Sequence, residues 1–297
     1  MQTQGVTGIQ NVGNTCYAAA TLQLLRACTE WDYYCMKDAK TSVPPSTSPQ
    51  RILAAYQDIN RSLWSAYTPA YVRPLGFFHE IREAVRGTVY DSFAQPIPQD
   101  AHEFLVYLLD QFHQARMISK TPEQSPLMDL FFGTTRKTVT CGHCRHITHR
   151  EEIFNVLSVP CKGATFAEWM AGTSVEEAIE GFACDACHGR HPAVIRTVLH
   201  TLPPNLFVAL QRFEPSGSKN MVACPYDGMP FMINGIPYEV RGVIDHHGSH
   251  RGGHYTAQWK HPFSQEWWWF DDEKARALQM PTFGASTYVM LLKRTVA

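Results

Sequence analysis

The sequence has 297 residues, 44% of them hydrophobic, with 26 Lys plus Arg against 27 Asp plus Glu. That length and apolar content can bury a sizeable core, in one large domain or two modest ones. The near-neutral balance excludes the basic field of a non-specific nucleic-acid binder, and no stretch approaches the roughly 18 consecutive apolar residues of a membrane span.

The first ten residues, MQTQGVTGIQ, lack the basic and apolar regions of a secretory signal, so an intracellular setting, cytoplasmic or nuclear, is expected. Nine cysteines are an odd number for a disulfide framework and are read as reduced thiols. Residues 11 to 25, NVGNTCYAAATLQLL, join a turn of small residues to an apolar helical pattern, with Cys16 where the two meet. A thiol in the first turn of a helix meets free backbone N–H groups and the positive end of the helix dipole, and both favour the thiolate. The turn is therefore expected to expose and activate Cys16, with Asn14 and Thr15 as caps and Gly13 admitting a ligand close to the backbone. Asn11 supplies a neutral amide donor suited to an oxyanion. The alternative is a buried structural cysteine at a helix start.

TSVPPSTSPQ (41 to 50) and the Gly, Ser and Pro-containing run from Glu214 to Pro237 read as loops. Ile52, Tyr56, Ile59 and Leu63 recur at helical spacing, as do Phe77, Ile81 and Val85. In QDAHEFLVYLLDQFHQAR (99 to 116), Phe104, Leu108 and Phe112 recur every four residues beside Leu105 and Leu109, and Pro98 precedes the helix start. Asp100 and Glu103 share its first turn, where carboxylates either cap the helix or bind a partner. From Arg136 the texture changes to short β-rich runs: RKTVT, IFNVLSV, AVIRTVL, LFVALQRF, YEVRGVI, HYTAQW, WWWF and TYVMLLK. Helices first and strands later argue for an α+β fold.

Cys141 and Cys144 lie in TCGHCRH, and Cys184 and Cys187 in ACDACHG, with 39 residues between the inner cysteines. Each turn offers two thiolates to one ion, and four thiolates close a tetrahedron suited to structural Zn²⁺. A redox CxxC usually occurs singly, so the matched pairs favour zinc. His143, His146 and His188 flank the ligands, but four sulfurs already complete the shell.

A thiolate that attacks an acyl group needs a base for the proton and a third group to fix that base's tautomer. HHGSHRGGHYTAQW sets His254 after a Gly-Gly turn at the start of a strand, and EWWWFDD ends the next strand in Asp271 and Asp272. Antiparallel strands joined by KHPFSQ bring those ends together. Of Trp267, Trp268 and Trp269, core packing with one exposed ring is expected.

NVGNTCY with LQLL, QDAHEFLVYLLD, the two CxxC pairs, LPPNLFVALQRF, YEVRGVIDHHG with GGHYTAQW, and WFDD follow one another across nearly the whole chain. In these blocks and their order the sequence resembles the ubiquitin-specific proteases, the papain-like cysteine deubiquitinases. The resemblance implies one catalytic domain over 1–297, with a helical thumb (about 1–125), zinc-bearing β fingers (about 126–200) and a β-rich palm (about 201–297). It implies Cys16 as nucleophile, His254 as general base and then acid, Asp271 as the residue orienting His254, Asn11 in the oxyanion hole, and an auxiliary role for Asp272. His246 matches a histidine of the same box that is not the catalytic one. Asp100, Glu103 and Gln99 match positions that receive the basic C-terminal tail of ubiquitin, and the zinc pins fingers that grip its globular part. The implied partners are ubiquitin and ubiquitinated proteins, for a monomer without nucleic-acid or membrane partners.

The chain departs from the family in three places. Ala18, Ala19 and Ala20 follow Tyr17 where Met-Asn-Ser is common, a paired glutamine is reduced to Gln99 behind Pro98, and the segment between Phe213 and Tyr238 is short. The rival readings are a non-catalytic ubiquitin-binding scaffold and a protease for another ubiquitin-like modifier. The presence of Cys16, His254 and Asp271 together argues against the scaffold.

Overall fold

The computed structural model of the chain describes residues 4–37, 44–65, 67, 69–120, 123–214, 216–249 and 252–295. Its first half holds β1 (Gly8–Ile9), α1 (Cys16–Leu25), α2 (Thr29–Lys37), α3 (Ser48–Leu63), β2 (Tyr71–Val72), α4 (Leu75–Val85), a 3-10 turn (Asp91–Ala94) and α5 (Ala101–Ala115). Next come β3 (Ser119–Lys120), β4 (Glu123–Gln124), α6 (Pro126–Phe131), β5 (Gly133–Cys141), β6 (Ile147–Phe154), β7 (Val156–Pro160), α7 (Phe166–Ala171), β8 (Val175–Ala183) and β9 (Arg190–Thr201). The remainder is β10 (Asn205–Gln211), β11 (Phe231–Ile233), β12 (Ile236–Ser249), β13 (Gly252–Lys260), β14 (Trp267–Asp271), β15 (Lys274–Leu278) and β16 (Thr287–Arg294).

The helices form where apolar residues recur at helical spacing. α3 buries Ile52, Tyr56, Ile59 and Leu63, and α5 buries Phe104, Leu105, Leu108, Leu109 and Phe112. α3 begins inside the stretch expected to be loop up to residue 50. Thr47 accepts from the Gln50 backbone while the Gln50 side chain reaches back to Thr47, a reciprocal cap that starts the helix at Ser48. α1 shows no one-sided stripe, because all ten of its residues are buried and it packs between α5 on one side and β12 and β13 on the other.

The large sheet runs β15-β14-β13-β12-β16-β10-β7, with β11 added to β12, and only β10 and β7 pair in parallel. Successive side chains of β10 and β16 enter different cores: Phe207, Ala209, Val289 and Leu291 meet the helices, while Leu206, Val208, Met290 and Leu292 meet α7 on the other face. Two buried faces explain why these strands read as continuous apolar runs.

β5, β6, β8 and β9 make a separate antiparallel sheet in the order β6-β5-β9-β8. The chain leaves it after β6, pairs with β10 as β7, passes through α7 and returns as β8. This sheet has little core of its own, and β8 is exposed along most of its length. With Glu176, Glu177 and Glu180 in the strand and neither face deeply buried, β8 carries no alternation to betray it.

On β14 the three tryptophans are all half-buried, where one exposed ring was expected. Trp268 packs on the first core, Trp267 on the second, and the Arg276 guanidinium lies 4.5 Å from the Trp269 ring centre.

Candidate active site

Cys16 opens α1, as the small-residue turn predicts. The expected caps do other work. Thr15 stands at the N-cap without a side-chain cap bond, and its hydroxyl accepts from Val12 N at 3.0 Å, while Asn14 donates to Pro96 O at 2.8 Å. Asn11 holds the turn instead: its Oδ1 accepts from Gly13 N at 3.1 Å, Thr15 N at 3.1 Å and the Thr15 hydroxyl at 3.2 Å. Cys16 itself is only 7% exposed, against the expectation of an exposed thiol. Burial pushes its thiol above the ordinary 9.0, although the Tyr255 backbone N–H pulls the other way. Desolvation of the charged form outweighs the stabilisation available at the helix start, so the proton must go to a base.

His254, the residue expected to serve as that base, precedes Tyr255 on β13. β13 and β14 pair antiparallel with Ala257 opposite Phe270, which puts His254 and Asp271 diagonally on one face, and His254 Nε2 lies 2.5 Å from Asp271 Oδ1. Asp272 Oδ2 is 4.0 Å from the same nitrogen. A carboxylate only accepts, so Nε2 carries the proton and Nδ1 keeps its lone pair as the basic site.

Asp272 occupies the two-residue turn between β14 and β15 at φ +48°, a conformation that aspartate tolerates. Its Oδ2 accepts from Asn11 Nδ2 at 2.9 Å, and its backbone oxygen accepts from Ile9 N at 2.8 Å. The approach requires glycine at position 8, where a Cβ would meet the Glu273 carbonyl at 2.2 Å. Burial raises the Asp272 carboxyl, the Asn11 bond opposes that rise, and Oδ1 is buried with no hydrogen-bond partner among the described residues.

A cleft of about 560 Å³ opens at Cys16, bordered by Gln99, Asp100 and Glu103 on the helical side and by His246, Gly253, Tyr255 and Tyr288 on the sheet side. Asp100 is the N-cap of α5: Oδ1 accepts from His102 N at 2.7 Å and Glu103 N at 3.0 Å, and Oδ2 accepts from the Tyr288 hydroxyl at 2.6 Å. Of the two readings of Asp100, capping is thus realised in the fold. Glu103 makes no such bond among the described residues, and partial burial and the Asp100 charge raise its carboxyl. Gln99 donates to Ser92 O at 2.7 Å.

Far from the cleft, Cys141, Cys144, Cys184 and Cys187 place their sulfurs within 4.8 Å of one another at the tip of the smaller sheet. The two turns match. Arg145 N donates to Cys141 O and His188 N to Cys184 O, and Arg145 (φ +61°) and His188 (φ +55°) share the left-handed conformation. The Cys144 and Cys184 sulfurs lie 3.6 Å apart, close to the edge of about 3.8 Å that a tetrahedron with ~2.3 Å zinc–sulfur bonds requires. The donor set therefore fits Zn²⁺.

Sequence patterns missed Tyr288, which holds Asp100, and Lys219, which contacts His246. Tyr288 was hidden in an apolar strand and Lys219 in a loop, so neither position carried a signal.

A thiol at the start of a helix that packs on the strand carrying a histidine–carboxylate pair, on an α+β fold of helices before strands, is the arrangement of a cysteine hydrolase. The family model for ubiquitin carboxyl-terminal hydrolases matches residues 7–292, and the chain belongs to that family. It is 26% identical to ubiquitin carboxyl-terminal hydrolase Usp2 of Drosophila melanogaster, over 99% of this chain and 35% of that protein. With ubiquitin carboxyl-terminal hydrolase 2 of Homo sapiens it shares 25% identity, over 91% of this chain and 52% of the relative. The chain thus spans between about a third and a half of these relatives. The same fold occurs in the solved SAGA Ubp8/Sgf11/Sus1/Sgf73 DUB module bound to ubiquitin aldehyde, with TM-score 0.76 and 22% identity, over 99% of this chain and 70% of that one.

Proposed function

We propose that this chain is a deubiquitinase that hydrolyses the peptide or isopeptide bond after the C-terminal glycine of ubiquitin, through a thioester on Cys16. One observation carries the reading: the His254–Asp271 bond of 2.5 Å sits on the residue next to Tyr255, which borders the same cleft as Cys16. His254 Nδ1 takes the thiol proton as sulfur attacks the glycine carbonyl, and Asp271 holds the imidazolium through Nε2. The free hydrogen of Asn11 Nδ2 faces the developing oxyanion. Collapse breaks the C–N bond and the amine leaves with the proton from His254. Water, deprotonated by His254, then releases the ubiquitin carboxylate and restores the thiol.

Family membership supports ubiquitin and ubiquitinated proteins as substrates, with the tail lying in the cleft against Glu103. The four cysteines at the tip of the smaller sheet hold one structural Zn²⁺, which ties two hairpins where burial is slight. Nine free cysteines suit a reducing intracellular compartment. Incubation with electrophile-tipped ubiquitin, alongside a panel of similarly tipped ubiquitin-like proteins, tests the reading. An adduct at Cys16 with ubiquitin is expected; an adduct only with another modifier moves the substrate, and no adduct with any of them leaves the scaffold.

A further inference from the structure

Lys219 lies eight residues past the end of β10. Its backbone bridges to Phe213, and Asn220 N donates to Arg212 O at 2.6 Å, which fixes the place from which the side chain starts. The ammonium crosses to the end of β12. Nζ donates to His246 O at 2.5 Å, to His246 Nδ1 at 3.1 Å and to Gly248 O at 3.5 Å.

An ammonium has three donors and no acceptor, so the Nδ1 it meets must present a lone pair, and the ring proton sits on Nε2. His246 is 4% exposed, with its ring centre 4.6 Å from that of Tyr255 and 5.3 Å from that of Phe213. Burial, with help from the ammonium, pushes the imidazole down to about 4, so the ring is neutral near pH 7. Nε2 has no hydrogen-bond partner among the described residues, and His246 borders the cleft with Cys16 and Gly253. It lies so close to Gly253, the residue before His254, that a Cβ there would come within 2.4 Å.

We propose that Lys219 is a positioning residue: by donating to Nδ1 it locks His246 as the Nε2–H tautomer, and that N–H holds a backbone carbonyl of the substrate tail in front of Cys16. The inference rests on the cleft receiving a peptide tail, as in the function above. Without the ammonium the ring is free to move its proton to Nδ1, and a lone pair would then face the carbonyl oxygen. The contact is made by bound substrate as well as by the transition state, so its loss acts on KM more than on kcat.

The test uses the full chain, ¹⁵N-labelled at histidine, and ubiquitin carrying a fluorogenic C-terminal amide. Wild type is expected to show His246 as a single Nε2–H tautomer from about pH 6 to 8. Lys219→Met should mix the tautomers and raise KM about tenfold with kcat within about twofold, while Lys219→Arg recovers part of the loss. Adding Lys219→Met to His246→Ala should cost nothing further. An Nδ1–H His246 in wild type overturns the proposal even if the variants do not fold. So does an unchanged tautomer in a folded Lys219→Met, or losses from the two substitutions that multiply. If wild type hydrolyses no ubiquitin amide, the proposed activity fails separately, and the spectrum still decides the role of Lys219 in fixing the tautomer.

Discussion

Asn11 donates its side-chain amide to Asp272 Oδ2 at 2.9 Å, across 261 positions of sequence. With Asn11 Oδ1 committed to the turn that precedes Cys16, this bond fixes which end of the amide faces outward. The remaining Nδ2 hydrogen is thereby aimed by Asp272. Asn11→Ala is expected to lower kcat about 10² to 10³-fold with little change in KM, as for the loss of one oxyanion donor. In the Asp272→Ala background the same change should cost far less. Full, independent losses would separate Asp272 from the amide.

Asp271 is closer to His254 than Asp272 is, at 2.5 Å against 4.0 Å from Nε2. Asp271→Ala should therefore cost more in kcat/KM than Asp272→Ala, by analogy with a triad acid whose loss costs about 10⁴-fold. Equal losses, or the reverse order, would assign the orienting role to Asp272.

Cys16→Ala should abolish hydrolysis and retain ubiquitin binding, because the sulfur leaves but the cleft remains. The burial of Cys16 has its own pH signature. A raised thiol pKa keeps the proton on sulfur to higher pH, so the thiolate fraction at neutral pH lies below that of an ordinary cysteine. In His254→Ala, alkylation by iodoacetamide should rise with pH through a midpoint above 9.0. A plateau already at neutral pH would mean that the helix start alone makes the thiolate.

Glu103 and Asp100 should separate in their effects. Glu103→Arg is expected to raise KM for ubiquitin substrates about tenfold or more, the loss of a charge-assisted contact, with unfolding unchanged. Asp100→Ala removes a helix cap and the Tyr288 partner, and should lower stability by about 1 kcal/mol or more. If Glu103→Arg leaves KM unchanged, the substrate tail does not meet this carboxylate.

Elemental analysis should find one zinc per chain, lost on strong chelation or in Cys184→Ser together with resistance of the smaller sheet to proteolysis. With so little of that sheet buried, a bound zinc would account for the order of its tip. Absence of zinc in carefully purified protein, with the sheet still protected, would remove the metal from the fold.

The helices were legible because apolar spacing records which face each one buries, and α3, α4 and α5 bury the predicted residues. The strand runs were legible for the same reason, and the paired cysteines because their spacing is itself a turn. β8 was not, since a strand exposed along most of its length leaves no pattern.

Sequence alone determined the order of helices before strands, the thiol at a helix start, the histidine and aspartates at facing strand ends, and the four-sulfur set. Each is local, or follows from one hairpin. Tertiary structure decided that Cys16 is buried, that Asp272 aims Asn11, that Asp100 is occupied by Tyr288, and that Lys219 reaches His246. Burial and charge depend on what is packed around a group, and a hydrogen bond across 188 or 261 positions depends on every element between them. Periodicity encodes which side of an element is covered; only the assembled fold supplies the side chain that covers it.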